Sequence, residues 1–227
     1  MPVDEDPVAT PAAHRRVPWV TGTLVVLLVA IWILLELNGG STNLQVLIRA
    51  GAQENVLIRA GQWWRLITPI FLHFGLLHLA FNALALWFAG SAVETMFGHL
   101  RFLAIFFLAG IGGSLTELLF DPRPHLITVG ASGAIFGLLG ALVYLATLPF
   151  GRGEFRRSVL LAIALGLAYG FVPGSDINNY VHAGGLVTGL AVAATLGVPG
   201  YPGQETRRGL GLILVTLLVW LVISRLD

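Results

Sequence analysis

Seven apolar runs, each close to the length of a bilayer-crossing helix, recur along the chain at about 17–37, 70–90, 101–120, 130–148, 158–173, 179–197 and 209–224. About 20 apolar residues in a helix cross roughly 30 Å of hydrocarbon. Inside hydrocarbon the backbone must satisfy its own hydrogen bonds, which leaves helices as the spanning structure for runs of this length. The predicted class is therefore an all-α polytopic membrane protein. Charged residues make up only 11% of the chain, against roughly 25% in soluble domains. Breakers separate the runs: Asn38-Gly39-Gly40, Asp121-Pro122-Arg123-Pro124, the stretch 149–153, Pro173-Gly174 and the stretch 199–203. Residues 1–16 read as a polar, disordered tail, and 17–227 as one membrane domain. The first run exceeds the roughly 7–15 residues of a cleaved signal and lacks an A-x-A site, so it is expected to remain as an anchor.

All 13 basic residues are arginine, and cysteine is absent. Disulfides, thiolate metal sites and a cysteine nucleophile are excluded. A net charge of +1 with scattered arginines gives no case for nucleic acid. With the N-terminus in the cytoplasm, Arg15, Arg16, Arg101, Arg152, Arg156, Arg157, Arg207 and Arg208 fall inside, eight against five outside. That bias predicts this orientation. The connector 38–69 is too long for a plain loop. It carries the hexapeptide Val-Leu-Ile-Arg-Ala-Gly twice, at 46–51 and 56–61. Two short amphipathic helices, each stopped by glycine, are predicted there. With Trp63-Trp64 beside them, they suit the outer interface.

Ionisable and polar groups inside spans are costly and need a reason. His78, Asn82, Ser132 and His182 stand out. Ser132 opens an apolar run within Gly130-Ala131-Ser132-Gly133. Flanking glycine admits a substrate backbone, and a helix N-terminus offers free N–H groups to an oxyanion. Taken alone, such a serine is more often an N-cap. His182 precedes a small face made by Gly185 and Gly189, while Gly133 and Gly137 make another after Ser132. Small faces let helices approach until serine and histidine come within hydrogen-bond reach. His78 and Asn82 are four apart, share a helix face, and can either donate to an oxyanion or clamp two helices. A serine–lysine dyad is impossible without lysine, no His-Glu-x-x-His is present, and the aspartates lie in loops or at the termini. Serine with histidine is the hydrolytic pair left.

These residues resemble the rhomboid intramembrane serine proteases. Trp64-Arg65 is similar to that family's Trp-Arg motif, and His73, His78 and Asn82 match its H-x-x-x-x-H-x-x-x-N pattern. Gly130-Ala131-Ser132-Gly133 matches G-x-S-G, and His182 with Gly185 and Gly189 matches H-x-x-G-x-x-x-G. Gly90 to Glu94, with Gly98, is also similar to the segment after the family's second span. The likeness covers about 45–197, and the run 209–224 resembles the extra helix of the six-plus-one form. The resemblance implies a bundle of six core helices plus a seventh. It implies Ser132 as nucleophile, His182 as base, no completing aspartate, and an oxyanion hole of His78, Asn82 and the Ser132 N–H. Arg65, as an interfacial anchor, Glu94, as a polar lock below span two, and His73 are implied to be structural. Phe136 stands where the family often has a tyrosine stacked on the histidine. Spans two and five are implied to form a side gate. His14, His99 and His125 match no motif and read as surface residues.

The expected function is cleavage of single-span membrane proteins near the outer boundary of the bilayer, with no cofactor and no metal. A prokaryotic plasma membrane is the expected location. Activity is expected to fall below the pKa of a neutral base, about 6.5 for an unperturbed imidazole. The rival is a rhomboid-like binder that holds client helices without cutting them. A small transporter would instead need repeat symmetry between two halves, which the sequence lacks.

Overall fold

The computed structural model describes residues 17–172, 175 and 177–226. The tail expected to be disordered, the turn signal at Pro173-Gly174, and Asp176 lie outside the described residues. Among those described, nine α-helices and no paired strands form the fold: α1 (Trp19–Leu37), α2 (Leu44–Ala50), α3 (Asn55–Arg59), α4 (Gly75–Phe97), α5 (His99–Phe120), α6 (Ser132–Ala146), α7 (Glu154–Tyr169), α8 (Asn179–Leu196) and α9 (Glu205–Leu226). The seven longest each overlap one of the seven apolar runs. Four of them, α1, α4, α5 and α9, are long and apolar enough to cross a membrane.

α6 is the central helix. Its 15 residues rise only about 22 Å at 1.5 Å per residue, short of a bilayer core. Twelve of the 15 are buried, which is what a helix apolar on every side requires. α5 and α8 flank it most closely, α4 and α7 lie outside it, α9 packs on α8, and α1 on α4. Phe97, Phe102, Phe106, Leu86 and Leu138 fill the core fully. Because lipid covers the periphery, Leu77, Phe81 and Phe88 on α4 remain exposed at no cost.

The ends of α4 differ from the apolar run. Residues 70–74 are not α-helical: Pro69 lacks an N–H and fits a 3-10 turn, Thr68–Phe71, before an extended Leu72. At its far end the helix continues to Phe97, so Glu94 lies within it rather than after it. The chain tolerates this buried carboxylate because the α1 N-terminus supplies donors. Val20 N–H (3.0 Å), Thr21 N–H (2.7 Å) and Thr21 Oγ1 (2.6 Å) all donate to Glu94. His99 Nδ1 lies 2.6 Å from the same carboxylate, with its ring against Trp19. His99 is therefore part of this lock, not a free surface histidine. α7 starts at Glu154, earlier than its apolar run, because Gly153 at φ 76° breaks the preceding turn and Glu154 favours a first helical turn.

The two copies of the repeated hexapeptide form α2 and α3, and each ends near a left-handed glycine, Gly51 (φ 103°) and Gly61 (φ 96°). Arg65 holds this loop. It is buried and donates to the carbonyls of Ile48 (2.9 Å) and Ala52 (2.7 Å) and to Gln62 Oε1 (2.7 Å). It points into the loop and bonds to it from within. Burial pulls its guanidinium below the ordinary arginine value, with Glu54 opposing. Gln53 and Thr128 exchange backbone hydrogen bonds at 3.0 Å, which joins the loop to the segment leading into α6.

Candidate active site

The approach to Ser132 is fixed by backbone. Gly130 adopts φ 123°, a conformation side chains rarely allow. Its N–H donates to Pro69 O (2.9 Å), and Ala131 N–H donates to His73 Nε2 (3.4 Å). His73 is wholly buried here and ties the lead-in of α4 to the lead-in of α6, a structural task. Ala131, not Ser132, is the N-cap of α6, and no side chain caps that end. The Ser132 hydroxyl is therefore not used on its own helix. The first N–H groups of α6 point outward without intrahelical partners.

His182 lies one turn inside α8 and is buried. Its ring stacks on Phe136, with centroids 4.1 Å apart and planes at 13°. Phe136 is one turn below Ser132 on the same face of α6. The stack therefore draws the imidazole to the serine's face of the helix. His182 Nδ1 is buried without a protein partner, so among the described residues no carboxylate completes a triad.

The close approach of α6 and α8 comes from glycine. A Cβ at Gly185 would collide with the carbonyl of Gly133, and one at Gly189 with that of Gly137. A Cβ at Gly133 would come within 2.6 Å of Val181 Cγ1. The two small faces read from the sequence thus meet each other. A third face, absent from that reading, is Gly112-Gly113 on α5, which packs on Thr188 and on the Val181 backbone.

His78 approaches from α4. Its Nδ1 accepts from Phe74 N–H (3.4 Å), so in the neutral ring the proton sits on Nε2. Nε2 faces Gly130, where a Cβ would lie 2.8 Å away. Asn82 is buried and donates one amide hydrogen to His78 O (2.9 Å), leaving the other free. Gly130, Ser132, Phe136, His78 and His182 thus cluster at one end of the bundle. Arg65 stands apart in the loop, and Glu94 lies near the opposite end of α4.

Two positioning features carried no sequence signal. The Asp121 carboxylate, just past α5, accepts from Asn178 Nδ2 (2.9 Å) and from the Arg123 guanidinium (2.8 and 2.9 Å). Asn178 Oδ1 in turn caps α8 by accepting from Tyr180 N–H (3.0 Å). The first turn of α8, which carries His182, is pinned to α5 this way. Burial pushes the Asp121 carboxyl up, but the bonds from Arg123 and Asn178 outweigh it and hold it below the usual range. Gly166 of α7 is the other such residue. A Cβ there would sit 2.6 Å from Phe136 Cζ, so α7 leans on the ring that supports His182.

A hydroxyl at a helix N-terminus, an imidazole on the same face and an N–H donor beside them form the set that acyl transfer uses. A Rhomboid domain model matches residues 60–199. The chain is 49% identical over 186 residues to rhomboid protease GluP of Bacillus subtilis (strain 168), covering 80% of this chain and 36% of that protein. It is 38% identical over 158 residues to RHOMBOID-like protein 5 of Arabidopsis thaliana, covering 68% and 50%. It is 33% identical over 156 residues to Rhomboid-like protease 2 of Toxoplasma gondii, covering 67% and 54%. The chain spans about a third to a half of the length of these relatives. With the match over residues 60–199, the chain belongs to the rhomboid family.

Proposed function

We propose that this chain is an intramembrane serine endopeptidase that cuts single-span membrane proteins near the outer boundary of the bilayer. The observation that supports this most is the Phe136–His182 stack one turn below Ser132, at a helix start that the serine does not cap. Ser132 Oγ attacks the scissile carbonyl carbon while His182 takes the hydroxyl proton. The carbonyl oxygen becomes an oxyanion that receives hydrogen bonds from His78 Nε2, Asn82 and the Ser132 N–H. The intermediate collapses, the C–N bond breaks, and His182 protonates the leaving amine. Water then adds to the acyl ester carbon while His182 takes one of its protons; the C–O bond to Ser132 breaks, His182 returns that proton to Ser132 Oγ, and the carboxylic acid leaves. The short α6 keeps the serine below the membrane surface, so water must reach it from the side on which α6 begins. The substrate helix has to unwind to offer a carbonyl. It enters laterally, between α4 and α7.

The arginine bias supports an orientation with the N-terminus in the cytoplasm, and the all-arginine, glycine- and alanine-rich usage supports a prokaryotic plasma membrane. The test is cleavage of a single-span reporter by the purified chain, beside Ser132→Ala and His182→Ala. Each variant should lose at least about 10³-fold in kcat. Equal cutting by all three would remove the dyad. Tight reporter binding without cutting by the wild type would favour a client-holding protein. His78→Ala and Asn82→Ala should each lower kcat by about 10²-fold. A change in KM alone would make them binding residues instead.

A further inference from the structure

Between the end of α6 and the start of α7, at the end of α6 remote from Ser132, lies a cavity of about 530 Å³. That volume is within the range of small-molecule sites, roughly 300–1,000 Å³. Val143, Ala146, Val159 and Leu160 form its apolar wall, and Arg152 and Arg156 stand with them in its lining. Ala146 and Val159 are buried while Leu160 is half exposed, so the recess runs from the bundle interior to the surface that faces lipid.

Both arginines are exposed, and among the described residues neither has a hydrogen-bond or ion-pair partner. Glu154, which opens α7 between them in the chain, pairs with neither of them. The carbonyl end of α6 contributes only partial negative charge, about half an elementary charge, against two full positive ones. The recess thus joins an apolar wall that suits an acyl chain to an unpaired cationic pair that suits a phosphate. α7 also has room for such a neighbour, because Val159 and Ile163 are its buried side chains.

We propose that this cavity binds an anionic phospholipid, with the phosphate on Arg152 and Arg156 and an acyl chain along Val143, Val159 and Leu160. A recess that faces hydrocarbon fills with lipid, and the arginines select which lipid. Guanidinium groups near a bilayer surface draw anionic headgroups, and two of them favour an anionic over a zwitterionic lipid by about tenfold or more.

The test is native mass spectrometry of the full chain in detergent, titrated with dioleoylphosphatidylglycerol, dioleoylphosphatidylcholine or free glycerol phosphate. The wild type should retain phosphatidylglycerol about tenfold better than phosphatidylcholine. The double change Arg152→Ala/Arg156→Ala should abolish that preference. A control of equal charge loss, Arg207→Ala/Arg208→Ala, should keep it. Val143→Phe, which fills the recess and leaves both arginines, should also weaken retention. All three variants need an elution profile unchanged from the wild type. Four outcomes would each overturn the proposal: equal retention of the two lipids by the wild type; equal loss in the control, which would indicate general surface charge; full retention by Val143→Phe, which would place the lipid outside the cavity; or glycerol phosphate bound as well as the lipid, which would indicate a free-phosphate site.

Discussion

Phe136 shows how much one ring decides. It supports His182 from below and receives the backbone of α7 at Gly166 on its far edge. A stacked pair contributes about 0.5–1.5 kcal/mol beyond burial. Phe136→Leu stays apolar but removes the face, so kcat/KM should fall about threefold to tenfold, with a Tm loss of a few degrees. An unchanged kcat/KM would mean that the α6–α8 contact alone holds the imidazole. Phe136→Tyr keeps the face but adds a hydroxyl at Cζ, the atom that would lie 2.6 Å from a Cβ on Gly166. That variant should retain kcat on a short reporter and lose a few degrees of Tm. A Tm at or above that of the wild type would show that the seam has room. Ser132 could be singled out from the sequence, but its freedom from capping duty could not. An N-cap and a first helical residue differ by one backbone position, within the normal error of reading a helix end.

At the scale of elements, the glycine faces set the distance between α6 and α8. Gly185→Ala forces a methyl into the Gly133 carbonyl, and backbone cannot yield as a side chain can. It should cost about 1–3 kcal/mol and separate serine from histidine. The expected result is a lower Tm and at least a tenfold loss of kcat, measured on the same preparation. An active Gly185→Ala protein would show that the two helices touch less closely. Arg65 plays a comparable part in the long loop, where its charged bonds are each worth about 1.5–3 kcal/mol. Arg65→Ala should speed proteolytic nicking across 38–62 while the helices stay intact. Arg65→Lys should rescue only in part, because one ammonium cannot reproduce the planar fork. The two hexapeptide copies also diverge at this scale. Arg59 donates to Leu118 O (2.9 Å), whereas Arg49 lines a recess beside α1. Identical sequence acquires different work because α3 lies against the end of α5 and α2 does not.

For the whole molecule, pH separates the chemistry from the scaffold. The mechanism we propose uses a neutral imidazole as base, so activity should fall as pH drops through the base's own pKa. The Asp121 carboxyl is held below its ordinary value, so its latch on Asn178 is present above that value and lost only as pH falls through the lowered one. Between pH 5 and 8 the latch is therefore constant. Asp121→Asn should lower Tm by the same amount at both ends of that window. A Tm loss confined to pH 8 would contradict this assignment. Sequence alone determined the number and rough limits of the long helices, because hydrophobicity is written along the chain and hydrocarbon admits little else. It also marked Ser132, His182, His78 and Asn82, since polar groups inside apolar runs are costly and therefore few. Only the tertiary structure decided which of the small faces meet, that α6 lies at the centre, that His99 serves Glu94, and that Asp121 pins α8. Those are contacts between elements far apart in the chain, and they depend on helix crossings that no local pattern of residues encodes.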